Sequence, residues 1–155
     1  MNPYASYLGA QDPRAIVART AAQLLLHAER LGDDGLKRSP APGKWSAGAI
    51  LCHLADCELA FGFRLRQALA EPHHVIQPFD QDAWATPYER LDPRTALDMF
   101  AAARRWNLAL FETVAAADFE RKLTHPERGE MTLRTVLETM AGHDLNHLQQ
   151  LERIS

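Results

Sequence analysis

Four stretches of this chain each open on a helix-capping residue and run on as an apolar stripe at helical spacing. That pattern leaves little room for any fold but packed helices. Asp12-Pro13 opens the first: Asp accepts from freed N–H groups, and Pro suits the first helical position. Ile16, Leu24, Leu25, Leu26 and Leu31 follow, and Gly32 is expected to stop the run. Ser46 opens the second, with Ile50, Leu54, Phe61, Leu65 and Leu69 recurring up to Pro72. Asp92-Pro93 repeats the first start, ahead of Leu97, Phe100, Leu108 and Phe111. Thr132 caps the last, whose core face is Leu133, Val136, Leu137, Met140, Leu148 and Leu151.

The expected fold class is all-α, a four-helix bundle. The longer connection between the second and third helices, His73 to Leu91, would serve as its crossover and hold a short helical turn around Asp82-Ala83-Trp84. The other connection, Ala116 to Met131, reads as a polar loop, and no strand alternation, repeat or low-complexity segment is found. With 155 residues, one domain spanning 1–155 is expected. Hydrophobic residues at 46% against 24% charged argue against disorder.

A net charge of -3 supplies no basic face for counterion release, which argues against nucleic acid as partner. No apolar run approaches bilayer length and the start lacks a signal-peptide pattern, so no membrane partner is expected. Cys52 and Cys57, five residues apart on one helix, diverge too far for a disulfide. They read as small apolar fillers in a reducing compartment, with the cytoplasm as the expected address.

His143 and His147 stand four residues apart, so they share a face, and it is the face of Val136 and Met140. Two imidazoles turned into a core need partners for their ring nitrogens. Those partners are either a divalent metal or hydrogen-bonding side chains. His53, on the Ser46-Ile50-Leu54 side of the second helix, reads alone as a hydrogen-bonded core residue. Beside the pair it becomes a third ligand candidate, since a bundle can bring the second and fourth helices together. Asp56, three residues on, and Asp144 can orient imidazoles, and Asp56 can also enter the coordination shell. His27, His73 and His74 read as structural, the last two at a helix end. His125 lies in a stretch that can fold over a site mouth.

His143-Asp144-Leu145-Asn146-His147 resembles the zincin pattern with Asp for Glu, but no downstream ligand follows before Ser155. Gly43-Lys44-Trp45-Ser46 lacks the upstream glycine of a phosphate loop.

Lys44-Trp45-Ser46, the run from Ala49 to Asp56 and the run from Ala141 to Leu148 together resemble the DinB-like, YfiT-like superfamily of bacterial metalloproteins, the DNA-damage-inducible four-helix family. The Pro78–Trp84 and Pro126–Thr132 segments also resemble it, so the likeness covers nearly the whole chain. It implies a four-helix bundle, commonly a homodimer, with one divalent metal, zinc or nickel, held by three histidines. By matching positions these are His53, His143 and His147. Characterised relatives include thiol transferases using bacillithiol or mycothiol, a thiol-dependent isomerase and hydrolases. The resemblance thus implies a small-molecule substrate and a low-molecular-weight thiol cosubstrate, without naming either.

Three neutral imidazoles leave a divalent ion strongly Lewis acidic, able to activate a water or a thiol toward a small electrophile. In that reading Asp56 and Asp144 are the catalytic candidates, tuning a ligand or taking a proton, and Trp84, Tyr88 and His125 line the mouth. Arg64, Arg104 and Arg105 are candidates to face a ligand. A second reading is a non-catalytic, metal-stabilised module that binds a ligand or partner during stress, with Leu26 and Trp106 at a dimer interface. A third is a metal-free bundle whose histidines are polar core residues.

Overall fold

The structure, a computed structural model, describes residues 2–154. Its elements are α1 (Ala5–Leu8), α2 (Pro13–Leu36), α3 (Ala47–Ala70), α4 (Gln81–Ala85), α5 (Pro93–Thr113), β1 (Lys122–His125), β2 (Gly129–Thr132) and α6 (Leu133–Glu152). All four expected caps are made. Asp12 accepts from the Arg14 N–H, Ser46 from Ala49, Asp92 from Arg94 and Thr95, and Thr132 from Thr135. The Thr132 N–H in turn donates to the Thr135 hydroxyl, closing a capping box. The short turn expected in the crossover is α4, capped by Asp80.

Two expectations are corrected. Gly32 takes φ 62°, ψ -178°, a conformation costly for other residues, yet it kinks α2 instead of ending it. The helical run resumes and reaches Leu36. The stretch taken as a polar loop folds into an antiparallel hairpin, Leu123 opposite Met131 and His125 opposite Gly129. Each strand has only four residues, too few for alternation to stand out. Gly129, at φ 77°, supplies the left-handed turn conformation. The crossover braces the hairpin: the Ile76 N–H donates to the Thr124 carbonyl at 2.8 Å, and the Thr124 N–H to the His74 carbonyl at 2.9 Å.

In the bundle α2 packs chiefly on α6 and α5, while α3 packs on α5 and α6. Consecutive helices α2 and α3 are therefore not the main partners, and the crossover carries the chain between the neighbours α3 and α5. This order sets His53 of α3 against the histidine face of α6. Among the described residues no helix is long and apolar enough to cross a membrane.

The core has two apolar halves. One gathers Ile16, Phe61, Leu65, Phe111, Phe119, Leu133 and Met140; the other gathers Leu24, Ile50, Leu54, Leu97, Phe100, Leu148 and Leu151. A polar band separates them, centred on Arg104, which is 1% exposed. Its guanidinium donates to Glu58 Oε2 at 2.8 Å, to Asp144 Oδ2 and Oδ1 at 2.6 and 3.2 Å, and to the Val17 carbonyl at 2.9 Å. Asn107 donates to Glu58 Oε1 at 2.7 Å, and the Thr20 hydroxyl meets Asp144 Oδ2 at 2.7 Å. One guanidinium thus ties α2, α3, α5 and α6 together. Of the two residues proposed for a dimer interface, Leu26 is 65% exposed and Trp106 is 69% exposed, so neither is spent on the core.

Charged groups so deeply buried are tolerated only as a complete set. Arg104→Met keeps most of the volume but strands two carboxylates, and it is expected to cost about 3–5 kcal/mol of stability by urea unfolding. A cost below about 1 kcal/mol would show that the band is not what couples the helices.

Candidate metal centre

α3 and α6 bring three imidazoles to one point beside the polar band. His53 Nε2 lies 3.0 Å from His143 Nε2, and His147 Nε2 lies 3.2 Å from the same atom. All three rings are buried. Four-residue spacing puts His143 and His147 one above the other on α6, with ring centroids 4.5 Å apart. Tyr4, edge-on to His143 at 5.2 Å, and Trp45, 4.8 Å from His53, shield them from solvent. Tyr4 comes this close because position 142 is glycine. A Cβ there would sit 2.5 Å from the Tyr4 carbonyl oxygen and 2.7 Å from its Cβ.

The arrangement suits a cation better than a proton. Nitrogens bound at 2.0–2.1 Å around a tetrahedral ion stand about 3.3 Å apart, close to the 3.0 and 3.2 Å that separate His143 Nε2 from the other two. His147 Nδ1 lies 2.9 Å from Gln150 Oε1, so it carries the ring proton and leaves the Nε2 lone pair turned inward. His143 Nε2 faces two other nitrogens, and a single proton cannot serve both contacts. Burial lowers the His53 pKa to about 3 and the His147 pKa to about 4, and holds His143 well below its ordinary value. Three neutral, converging imidazoles fit a divalent metal.

A fourth donor stands nearby. Cys57 Sγ lies 3.4 Å from His53 Nε2, and ligand atoms of His53, Cys57 and His143 fall within 4.8 Å of one another. Burial pushes its thiol up to about 12, so without a cation it stays protonated. Sequence reasoning took Cys57 for a filler. The signal was there, since it follows His53 by the same four-residue step that relates His143 to His147.

The two aspartates sit beside this cluster, engaged elsewhere. Asp144 is held by Arg104 and Thr20, which fixes the rotation of α6. Asp56 Oδ2 accepts from the Tyr88 hydroxyl at 2.8 Å. Tyr88 therefore does not line the mouth: it is buried against Asp56 and Trp45. Trp84 packs tilted against Phe79, centroids 4.5 Å apart, and does not line the cavity beside His143. His125 does face the site. It ends β1, is buried, and lines a cavity of about 180 Å³ together with Cys57, Phe61, Thr139 and His143. A wider cavity of about 560 Å³ reaches Trp45 and Gln150 from the other side but is lined by no histidine. Among the remaining histidines, His27 pairs with Arg30 and His74 with Glu71, while His73 takes φ 56° beyond the end of α3, all structural settings.

The structure is an α-helical bundle in which histidines from two facing helices, with Cys57, form a cluster that could hold a metal ion. The chain belongs to the DinB superfamily, whose family model matches residues 16–151. A Bacillus licheniformis protein named "Putative metal-dependent hydrolase" is 31% identical over 129 residues, covering 81% of this chain and 73% of its own. One from Oceanobacillus iheyensis with the same description is 29% identical over 122 residues, covering 78% and 71%. YfiT of Bacillus subtilis, named likewise, is 26% identical over 144 residues, covering 90% and 80%. Its solved structure, described as having "an unusual four-helix bundle topology", superposes with a TM-score of 0.86 at 24% identity, over 92% of this chain and 83% of that one.

In chelator-treated protein the three imidazoles are neutral when folded but protonate near pH 6.5 once unfolded. The unfolded chain then binds more protons, so stability falls as pH drops from about 6.5 toward the folded values. Urea unfolding should show this decline already between about pH 6.5 and 5, above the carboxylate range. A flat profile there would contradict three buried neutral rings.

Proposed function

We propose that the chain is a metal-dependent enzyme of the hydrolase or thiol S-transferase type, in which His53, His143 and His147 hold one divalent ion, zinc or nickel. The observation that carries this reading is the convergence of three Nε2 atoms beside a cavity large enough for the reacting end of a small molecule. The names of the relatives support the metal-dependent hydrolase part. A bound ion at this point supplies Lewis acidity that lowers the proton affinity of a water or thiol.

The chain's own groups do the rest. Gln150 fixes the His147 tautomer, and Trp45, Tyr4 and Phe61 keep bulk water from the rings. Asp144 and Asp56 act as positioning carboxylates, the first by locking α6 through Arg104, the second by holding Tyr88 against Trp45. His125 Nδ1 accepts the Glu127 N–H at 3.2 Å, so its proton is on Nε2, where it can donate to substrate.

One observation favours a second reading, a non-catalytic metal-stabilised binding module of the stress response. Cys57 is placed to close the fourth position that catalysis needs open. Either reading allows a homodimer, carried by the exposed apolar residues Leu26 and Trp106.

Elemental mass spectrometry should find about one zinc or nickel per chain, lost in His53→Ala/His143→Ala. Wild-type protein that stays metal-free after incubation with zinc, nickel or manganese would sink the reading. Cobalt-loaded protein then separates the alternatives. A spectrum unchanged by Cys57→Ser supports an open site and a positive screen for hydrolysis or thiol conjugation. A thiolate-to-cobalt charge-transfer band that Cys57→Ser abolishes supports the closed module.

A further inference from the structure

The cavity beside His143 also carries two guanidinium groups that form no ion pair among the described residues. Arg64 of α3 and Arg128, in the turn of the β1–β2 hairpin, both line it. Four arginines pair with acids, Arg94 with Asp33, Arg104 with Glu58 and Asp144, Arg121 with Asp118, and Arg134 with Glu120, and none of those four lines this cavity. Among the described residues neither Arg64 nor Arg128 has an ion pair, although Glu127 lines the same cavity.

Arg64 is held in place without being neutralised. Its guanidinium lies over the rings of Phe61 and Phe79, 5.8 and 5.6 Å from their centroids. One long hydrogen bond, 3.5 Å, reaches the Gln77 carbonyl. Burial, with a smaller contribution from the charge of Arg128, lowers its pKa from the ordinary value. Two like charges on one half-enclosed cavity repel, and an anion between them would relieve that repulsion. Neutral donors share the space. His125 offers its Nε2 proton, and Tyr4 keeps its phenol proton because burial raises its pKa.

We propose that Arg64 and Arg128, aided by His125, form an oxyanion subsite that grips a carboxylate or phosphate on the substrate and turns its reacting end toward the histidine cluster. The proposal rests on the metal-enzyme reading for its purpose, but the subsite itself stands on the two arginines. A cavity of about 180 Å³ admits one charged group and a short stem, which points to a small acid rather than a nucleotide. Placing the charge on the rim also separates binding from chemistry. The anion pays for orientation at the arginines while the histidine end stays free to act.

The test titrates inorganic phosphate, glutarate and the uncharged control glutaramide into the full chain, prepared with and without zinc, following backbone amide NMR shifts around residues 61–64 and 125–128. Saturable binding of phosphate or glutarate but not glutaramide is expected in both preparations. Which anion binds tighter tells a phosphate from a carboxylate ligand. Arg128→Gln, at an exposed turn and with no ion pair among the described residues, should weaken binding about tenfold or more, and Arg64→Gln at least as much. Arg105→Gln, exposed on α5, should leave it unchanged. Binding that is absent, or equal in wild type and Arg128→Gln, overturns the subsite. Binding that appears only with zinc and survives Arg128→Gln also overturns it, since the ion alone then holds the anion. Metal content measured on the same samples reports on the metal reading separately.

Discussion

The Arg104 guanidinium, bonded at once to Glu58, Asp144 and the Val17 carbonyl, is the contact on which the rest of this structure depends. A charge that deep in a helical bundle is stable only if every partner arrives together, so the four helices cannot shift independently. Its Nε has no partner, and the guanidinium lies 4.6 Å from the centroid of the Phe100 ring. Because Asp144 sits between His143 and His147 in sequence, the same ion pair sets the rotation of the histidine face. The polar band and the imidazole cluster form one layer between two apolar halves.

Around that layer the less regular parts of the chain build the approach to the site. Gly142 lets Tyr4 lie on α6, the crossover pins the hairpin, and the hairpin delivers His125 and Arg128. The helices thus hold the three imidazoles, while the hairpin turn and the Tyr4 segment line the cavity beside them. With this division the rim can vary in sequence without disturbing the helices that hold the imidazoles.

Much of this was legible in the residues. Helix starts were read correctly from Asp12, Ser46, Asp92 and Thr132 because capping is local: a side chain reaches backbone two or three residues ahead. The His143–His147 pair was legible for the same reason. Gly32 was misread because whether a glycine ends or kinks a helix depends on the packing beyond it. The hairpin was missed because its strands are short and their pairing is long-range in physical cause, braced by His74 and Ile76. Arg104 was taken for a ligand-facing group, since nothing in its local sequence shows that Glu58 and Asp144 await it. Cys57 was visible by spacing but read by residue type alone.

By itself, then, the sequence determined the number and phase of the helices, their capped starts and which histidines share a face. All of these follow from interactions within a turn or two of helix. Tertiary structure decided that α3 and α6 would meet, so that His53 joins His143. It also decided that the two aspartates would be spent on Arg104 and Tyr88, and that Arg64 and Arg128 would line one cavity without an ion pair among the described residues. Those outcomes depend on which distant groups are near and how much water is excluded, and neither quantity exists until the chain has packed.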